Sequence, residues 1–134
     1  MPGSFFDTNV LIYLVSPDPA KALRAEQVVR QGGVISVQVL NETANVMRRK
    51  LKKSWAETHE VLSVVSTLLS VRPLTLEVHR AGLGWAERHM LSLHDAMLVA
   101  SALDADCGTL WSEDMQPSMA IGGLTIRNPF VSFP

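Results

Sequence analysis

Short apolar segments alternate with longer helical segments along the chain, and this alternation restricts the possible folds more than any other feature. The segments predicted as strands are 5–6, 34–35, 71–74, 109–111 and, as a possible fifth, 124–126. Strands that are separated by helices are typical of a parallel sheet covered by helices on both faces. The sequence therefore predicts an α/β fold, a three-layer α/β/α sandwich whose parallel sheet has four or five short strands.

The predicted helices cover residues 8–15, 20–31, 37–51, 55–69, 76–89 and 92–103. Gly32 and Gly33 end the second of them, and Ser54 with Glu57 forms the capping-box pattern that opens the fourth. The segment 96–103 contains no charged residue. Because a helix that is apolar on all sides is a buried helix, we expect the last helix to lie in the interior.

At 134 residues the chain has the length of one domain, which we predict to span residues 1–134. Its single cysteine, Cys107, cannot form an internal disulfide, which suits a reducing compartment. The N-terminus lacks the pattern of a signal peptide, and no apolar run approaches the roughly 18 residues of a membrane span. We therefore expect a cytoplasmic protein with no membrane partner.

The net charge of −1 argues against a strongly basic nucleic-acid-binding protein, but it allows an enzyme that contacts nucleic acid locally.

Three aspartates stand at the ends of predicted elements, where α/β folds place their functional groups. Asp7 follows the first strand, Asp95 lies in the first turn of the apolar helix, and Asp114 follows the fourth strand. Each also has a simpler interpretation. Asp7 suits a helix N-cap and Asp114 a turn, while Asp95 pairs with Ser92 in a capping pattern. Both interpretations stay open, because a capping carboxylate keeps free acceptor positions for a second role.

Glu42 is the fourth candidate acid and lies inside the predicted helix 37–51. The helical period places an apolar face on the opposite side, formed by Val37, Leu40, Ala44, Met47 and Leu51. On the side of Glu42 the helical neighbours are Val39 and Val46, and no Lys or Arg lies three or four residues away to pair with it. The pattern is compatible with a solvated glutamate and with a glutamate that belongs to a functional site.

Carboxylates that cluster near an interior repel one another, and one of them takes up a proton through a raised pKa unless a cation lies among them. Oxygen-only ligands favour Mg²⁺ or Mn²⁺, because Zn²⁺ prefers histidine and cysteine. The histidines show no zinc-binding spacing; they are His59, His79, His89 and His94. We interpret His94 as a neighbour of Asp95 rather than as a ligand. The residues therefore predict a divalent-metal site at the carboxyl edge of the sheet.

Several short motifs occur along the chain in a fixed order. They are FFDTN, LNETANV, SLHDAMLVASAL and LWSEDM, followed by GGLTIRNPF near the C-terminus. Together they resemble the PIN-domain ribonucleases, and within them the VapC-type toxins of bacterial toxin–antitoxin pairs. The resemblance covers nearly the whole chain. Each motif alone is weak, but their order and spacing together make a strong signal.

The resemblance implies a role for each matched position. The metal-binding catalytic acids of the family correspond to Asp7, Glu42, Asp95 and Asp114, and the polar residues that support them correspond to Thr8, Asn9 and Ser112. Glu113 falls between motif positions and receives no role. His94 departs from the aromatic or small residue that relatives often carry.

The resemblance also implies a fold and an activity, namely a PIN-like fold and a Mg²⁺-dependent endoribonuclease, with Mn²⁺ as an alternative cofactor. Carboxylate-held metal would activate a water and stabilise the charge that grows on the scissile phosphate. Glu42 or a neighbouring acid would orient or deprotonate that water. Cleavage would leave a 5′-phosphate and a 3′-hydroxyl. The implied partners are an RNA substrate, a cognate antitoxin protein and a second copy of the chain in a homodimer.

A basic run that begins with Arg48, Arg49 and Lys50 ends the helix that carries Glu42. Cations are favoured at a helix C-terminus by the helix dipole, so a solvated helix end explains the run without any function. The alternative is that these side chains contact RNA phosphates and guide the substrate toward the acids.

Other functions compete with a toxin nuclease. A phosphatase with an aspartate nucleophile needs a second acid two residues after the first, where this chain has Asn9. A phospho-receiver domain needs an acid cluster before the first helix and a late lysine, and neither is found. Two alternatives stay open: a PIN nuclease that processes RNA outside a toxin pair, and a non-catalytic PIN module that binds RNA or protein. Loss of an acid would mark the non-catalytic module, and all four positions are filled.

Overall fold

The computed structural model describes residues 3–131, and within them six β-strands form one sheet. The strands are β1 (Gly3–Phe6), β2 (Val34–Ser36), β3 (Ser70–Arg72), β4 (Cys107–Trp111), β5 (Ala120–Ile121) and β6 (Leu124–Arg127). The α-helices are α1 (Thr8–Ile12), α2 (Pro19–Arg30), α3 (Val37–Arg49), α4 (Trp55–Leu68), α5 (Leu76–His89) and α6 (Leu93–Asp104). A 3₁₀ turn, Tyr13–Val15, continues α1.

The order of strands across the sheet is β3-β2-β1-β4-β6-β5. Every neighbouring pair runs parallel except β5 with β6, and helices flank the sheet, so the predicted α/β class is confirmed. After β1 the chain adds strands on one side, and it then returns to place β4 on the other side of β1. Ligands of open α/β sheets bind outside the carboxyl ends of the strands at such a reversal. The carboxyl ends of β1 and β4 therefore mark the expected position of a site.

Strand β5 is absent from the sequence prediction. It contains two residues and pairs with β6 through a turn at Gly122 and Gly123, both of which have positive φ. Two residues are too few to show the alternation that predicts a strand. The sheet thus has five parallel strands, as predicted, and a short antiparallel edge strand.

The core confirms the prediction of a buried last helix. All residues from 96 to 102 in α6 are buried, and α6 packs against β4. In the sheet Phe5, Phe6, Leu110 and Ile126 are fully buried. Among the described residues, every helix falls short of the length and hydrophobicity that a membrane-spanning segment requires.

Proline accounts for two of the element boundaries that differ from the sequence prediction. The third strand was expected at 71–74, but it covers Ser70–Arg72, because Pro73 has no N–H to donate to a neighbouring strand. Helix α2 begins at Pro19 and not at residue 20. Asp18 caps it by accepting hydrogen bonds from the N–H groups of Ala20 and Lys21, and proline is well suited to the first helical position.

The predicted apolar face of α3 is only partly right, because Met47 is fully buried and Leu40 packs against the core, but Val37 and Leu51 are exposed. Its buried residues are Val39, Thr43 and Met47, whereas Val37 is 42% exposed and Leu51, beyond the helix, is 39% exposed. The hydroxyl of Thr43 donates to the carbonyl of Val39 at 2.7 Å, so a threonine can be buried here without an unpaired donor. The buried face of the helix is therefore turned toward Val39 and Thr43, and Glu42 lies at its edge with 34% of its side chain exposed.

Gly33 lies at the start of β2, where the chain passes close to β1. Its φ is +152°, and an added Cβ would overlap the carbonyl oxygen of Ser4 and lie 2.7 Å from the ring of Phe6. We expect Gly33→Ala to lower the free energy of unfolding by about 3 kcal/mol or more, through backbone strain combined with overpacking. Urea denaturation measures this change.

The matched control is Gly32→Ala. Gly32 also has positive φ, at +85°, but an added Cβ would meet nothing within 4 Å. The free energy of unfolding of this variant should fall only by the cost of placing alanine in the left-handed conformation, about 1–2 kcal/mol. Equal losses in the two variants would show that the close approach of β1 and β2 does not require glycine.

Candidate functional site

Asp7 is buried at the carboxyl end of β1, with 3% of its surface exposed. Its N–H donates to the carbonyl of Trp111 at 2.9 Å, so the pairing of β1 with β4 extends to this residue. The carboxylate accepts hydrogen bonds from the N–H of Thr8 at 2.6 Å and from the hydroxyl of Ser112 at 2.7 Å. Asp7 is thus the N-cap of α1, and its second oxygen is held by the segment that follows β4.

Asn9 connects the two strand ends. Its amide nitrogen lies 3.3 Å from Oδ2 of Asp7 and 3.0 Å from Oδ2 of Asp114. Its amide oxygen accepts a hydrogen bond from the N–H of Glu113 at 3.1 Å. The structure therefore brings two of the predicted acids, Asp7 and Asp114, to the same amide group, although 107 positions separate them in the sequence.

Glu42 reaches the same region from α3. Its Oε1 lies 2.8 Å from Nδ1 of His94, and Nε2 of His94 lies 4.0 Å from Oδ1 of Asp7. The amide nitrogen of Gln38 lies 3.3 Å from the same oxygen of Glu42 and 3.1 Å from Nδ1 of His94. The imidazole ring thus stands between the carboxylates of Asp7 and Glu42. Sequence reasoning placed His94 only beside Asp95, since no local pattern connects it with α3.

These side chains line an open cavity of about 420 Å³ at the carboxyl edge of the sheet. The acidic and basic residues in its wall are Asp7, Glu42, Glu113, Asp114, His94 and Lys50. Asp95 is not among the lining residues. Its N–H donates to the hydroxyl of Ser92 at 3.1 Å, which confirms the predicted capping pair. The wall is therefore rich in carboxylates, with few cations to balance them.

The pKa of Asp7 is raised above its ordinary value of 3.8, chiefly because burial disfavours the charged form. The hydrogen bonds from Ser112 and Thr8 and the nearby His94 act in the opposite direction, and the charge of Asp95 raises the pKa further. Asp95 therefore stands close enough to affect Asp7 electrostatically. A carboxylate in this position is costly unless a positive charge stands beside it.

The hydroxyl of Thr8 and the oxygen-rich character of the site bear on metal binding. Thr8 is 7% exposed, and its Oγ1 is buried with no hydrogen-bond partner among residues 3–131. Within the same described range, no group of three or more His, Cys, Asp or Glu side chains is arranged to hold a metal ion. The donors present are those that hard divalent cations prefer, but hydrogen bonds from Asn9 and contacts with His94 occupy several of them.

Glu113 has a structural role that sequence reasoning did not assign. Its carboxylate accepts a hydrogen bond from the hydroxyl of Tyr13 at 2.7 Å and forms an ion pair with Nζ of Lys21 at 3.0 Å. The hydrogen bond to Glu113 also raises the pKa of Lys21. Nζ of Lys21 lies 4.6 Å from the centre of the Tyr13 ring and 5.3 Å from that of Phe130. This cluster holds the segment that supplies Ser112 and Asp114.

The basic run divides into residues with different environments. Arg48 donates to the carbonyl of Lys53 at 2.6 Å, and its guanidinium lies 4.3 Å from the ring centre of Trp55. Arg48 therefore stabilises the connection between α3 and α4. Arg49 is exposed, and Lys50 lines the cavity. Contact between these side chains and RNA stays a prediction, with Lys50 the best placed of the three.

Comparison with solved structures shows a shared fold. The chain is similar to a toxin–antitoxin complex from Klebsiella pneumoniae, with a TM-score of 0.72 and 20% identity over 95% of this chain and 98% of that one. It is also similar to the Mycobacterium tuberculosis toxin VapC20, which cleaves the sarcin–ricin loop, with a TM-score of 0.64 and 19% identity over 83% of this chain and 91% of that one. VapBC2 from Rickettsia felis, bound to a DNA fragment of its promoter, has a TM-score of 0.68 and 16% identity over 93% and 97% of the two chains.

A search of curated protein sequences found no match. The family model for the PIN domain matches residues 4–120, which include most of β1, the four candidate acids and α6. This match covers most of the chain. The chain therefore belongs to the PIN domain family.

Proposed function

We propose that this protein is a metal-dependent endoribonuclease, the VapC-type toxin of a toxin–antitoxin pair. The observation that carries the proposal is the convergence of Asp7, Glu42 and Asp114 on one cavity at the carboxyl edge of a PIN-domain sheet. The similar structures include toxins and toxin–antitoxin complexes, and one of these toxins cleaves the sarcin–ricin loop. These likenesses support the toxin assignment and an antitoxin partner for this chain.

The donor set supports Mg²⁺ or Mn²⁺ as the cofactor. The ion would be held through carboxylate oxygens of Asp7, Glu42, Asp95 and Asp114. The hydroxyl of Thr8, which has no hydrogen-bond partner among residues 3–131, adds a further oxygen beside Asp7. Binding would exchange the hydrogen bonds of Asn9 for coordination, since the amide now occupies Oδ2 of both Asp7 and Asp114. A divalent cation would also offset the burial that raises the pKa of Asp7.

When bound, a divalent cation supplies Lewis acidity for the activation of water and for the charge that grows on the scissile phosphate. The chain's own residues then have separate tasks. Ser112 and Thr8 hold the carboxylate of Asp7 in one orientation through their hydrogen bonds. Asn9 accepts a hydrogen bond from the N–H of Glu113 and so holds the segment that carries Asp114 beside α1. Lys50, at the rim of the cavity, attracts the phosphate backbone.

The acidic wall explains why cleavage should require a cation. The cavity presents four carboxylate residues, and a phosphodiester that enters it brings further negative charge. Like charges at close range in a partly desolvated site repel one another strongly. RNA is therefore expected to reach Asp7 only when a divalent cation is present.

Cleavage of a labelled RNA mixture by the purified protein tests the nuclease proposal. We expect cutting with Mg²⁺ or Mn²⁺, none with EDTA, and products with 5′-phosphate ends. Asp7→Asn should lower the rate by a factor of roughly 10³ or more, since it removes the central carboxylate of the site. Growth arrest on induced expression, absent in Asp7→Asn, supports the toxin assignment over a role in RNA processing.

Asp106→Asn is the matched control for this experiment. Asp106 is an exposed acid immediately before β4, at the opposite edge of the sheet, and its φ of +57° suits asparagine well. This variant should cut RNA like the wild type. A folded wild-type protein that binds metal but cuts neither total RNA nor a panel of structured RNAs would count against the nuclease and favour a non-catalytic module.

Asp7→Asn should also raise the melting temperature of the metal-free protein at pH 7. Burial raises the pKa of Asp7 in the folded protein above the ordinary value of 3.8, which it keeps in the unfolded chain. The folded protein therefore loses stability as the pH rises from the lower of these two pKa values to the higher. Below that interval the carboxyl is protonated in both states and the cost disappears. Thermal unfolding from pH 7 down to pH 4 should therefore show the advantage of the variant shrinking. An advantage that is independent of pH would exclude this cause.

Lys21→Met should lower kcat more than it raises KM, because it releases Glu113 and the segment that places Ser112 and Asp114. A displacement of about 1 Å at a catalytic group costs up to about 10²-fold in rate, and we expect a decrease of roughly tenfold to a hundredfold. Arg30→Met removes an exposed ion pair from the same helix and serves as the control with unchanged activity. A rise in KM alone would instead indicate that Lys21 binds RNA.

A further inference from the structure

We propose that His94 is a nitrogen ligand of the divalent cation in this site, and that Glu42 acts through His94 as its hydrogen-bonded support. This proposal rests on the metal dependence proposed above and changes the role of Glu42 within it. It predicts that the site prefers Mn²⁺ or Co²⁺ to Mg²⁺, because an imidazole ligand suits Mg²⁺ poorly.

The position of Nε2 is the first observation. It lies 4.0 Å from Oδ1 of Asp7, which is too far for a hydrogen bond. Two donor atoms that each lie about 2.1 Å from one ion are between about 3 and 4.2 Å apart. No described residue forms a hydrogen bond with Nε2, and 40% of the His94 side chain is exposed. The ring nitrogen that faces Asp7 is therefore available and suitably spaced for a shared ion.

The position of Nδ1 is the second observation. It lies 2.8 Å from Oε1 of Glu42, a distance typical of a charge-assisted hydrogen bond. The amide of Gln38 lies 3.3 Å from the same oxygen and holds the carboxylate in place. A histidine that binds a metal usually donates its other ring N–H to a carboxylate, which fixes the ring and its tautomer. The pair of Glu42 and His94 has this arrangement.

Among residues 3–131 no three His, Cys, Asp or Glu side chains surround one point, so the proposal requires only two protein ligands from the residues as they stand. Glu42 faces the Nδ1 side of the ring, whereas Asp7 faces the Nε2 side. A single ion between Asp7 and His94 would have one oxygen and one nitrogen from these residues. Other oxygens, from the neighbouring acids, water or the RNA phosphate, would complete its coordination.

Pulsed EPR of bound Mn²⁺ tests the proposal directly, since the electron spin echo is modulated by a nitrogen that is bound to the ion. We expect ¹⁴N modulation in the wild-type protein and its replacement by a ¹⁵N pattern when the protein is made with ¹⁵N-histidine. His94→Asn should abolish the modulation. The exposed His79 lies on α5, and His79→Asn is the matched control that should keep it.

Metal titration by calorimetry gives a second reading. His94→Asn should weaken Mn²⁺ binding by at least about tenfold and change Mg²⁺ binding much less. Glu42→Gln should weaken Mn²⁺ binding by about 10–100-fold, and the ¹⁴N modulation should remain. Circular dichroism establishes that the variants fold. The isotope comparison uses the unmodified sequence, so it stands even if a variant does not fold.

The outcomes separate this proposal from the proposed function. Metal-dependent RNA cleavage without ¹⁴N modulation would overturn the role of His94 and leave the nuclease in place. Modulation without cleavage of any RNA would support the ligand and contradict the nuclease. Tighter metal binding by His94→Asn, or no Mn²⁺ binding by the folded wild-type protein, would also overturn the proposal.

Discussion

The buried carboxylate of Asp7 is the constraint on which the arrangement of the site depends. Pairing of β1 with β4 extends to the N–H of Asp7, so the side chain is placed where two strand ends meet and solvent is nearly excluded. A charged group at such a position must be satisfied by hydrogen bonds or by a cation. Thr8 and Ser112 supply hydrogen bonds, but the pKa of Asp7 remains raised because burial outweighs them.

The segments around Asp7 are held in place by contacts of their own. The reversal of strand order between β1 and β4 brings the loop of residues 112–114 beside α1, and Asn9 joins the two through both ends of its amide. The cluster of Lys21, Tyr13 and Glu113 then anchors this loop from the other side. A surface ion pair contributes little to stability, but here it fixes the position of groups that line the cavity.

Part of the site was predictable because residues that follow parallel strands lie at the same edge of the sheet. Acids that follow parallel strands meet at one edge of the sheet, and Asp7 and Asp114 do so through Asn9. The burial of α6 was predictable from its lack of charge. The orientation of α3 was not, because Thr43 is buried through a hydrogen bond to its own helix while Val37 is exposed. A hydrophobicity scale that ranks threonine below valine therefore places the buried face too far toward Val37.

The sequence by itself determined the order of the elements, the parallel sheet, and the caps at Ser54 and Ser92, because these depend on local pattern and on short-range backbone chemistry. Only the tertiary structure decided which face of α3 points inward, that Glu113 pairs with Lys21, and that the ring of His94 stands between Asp7 and Glu42. These contacts join side chains that are from 52 to 92 positions apart in the sequence. Local propensity carries no information about such pairs, since their geometry depends on how α2, α3, α6 and the strand ends pack together.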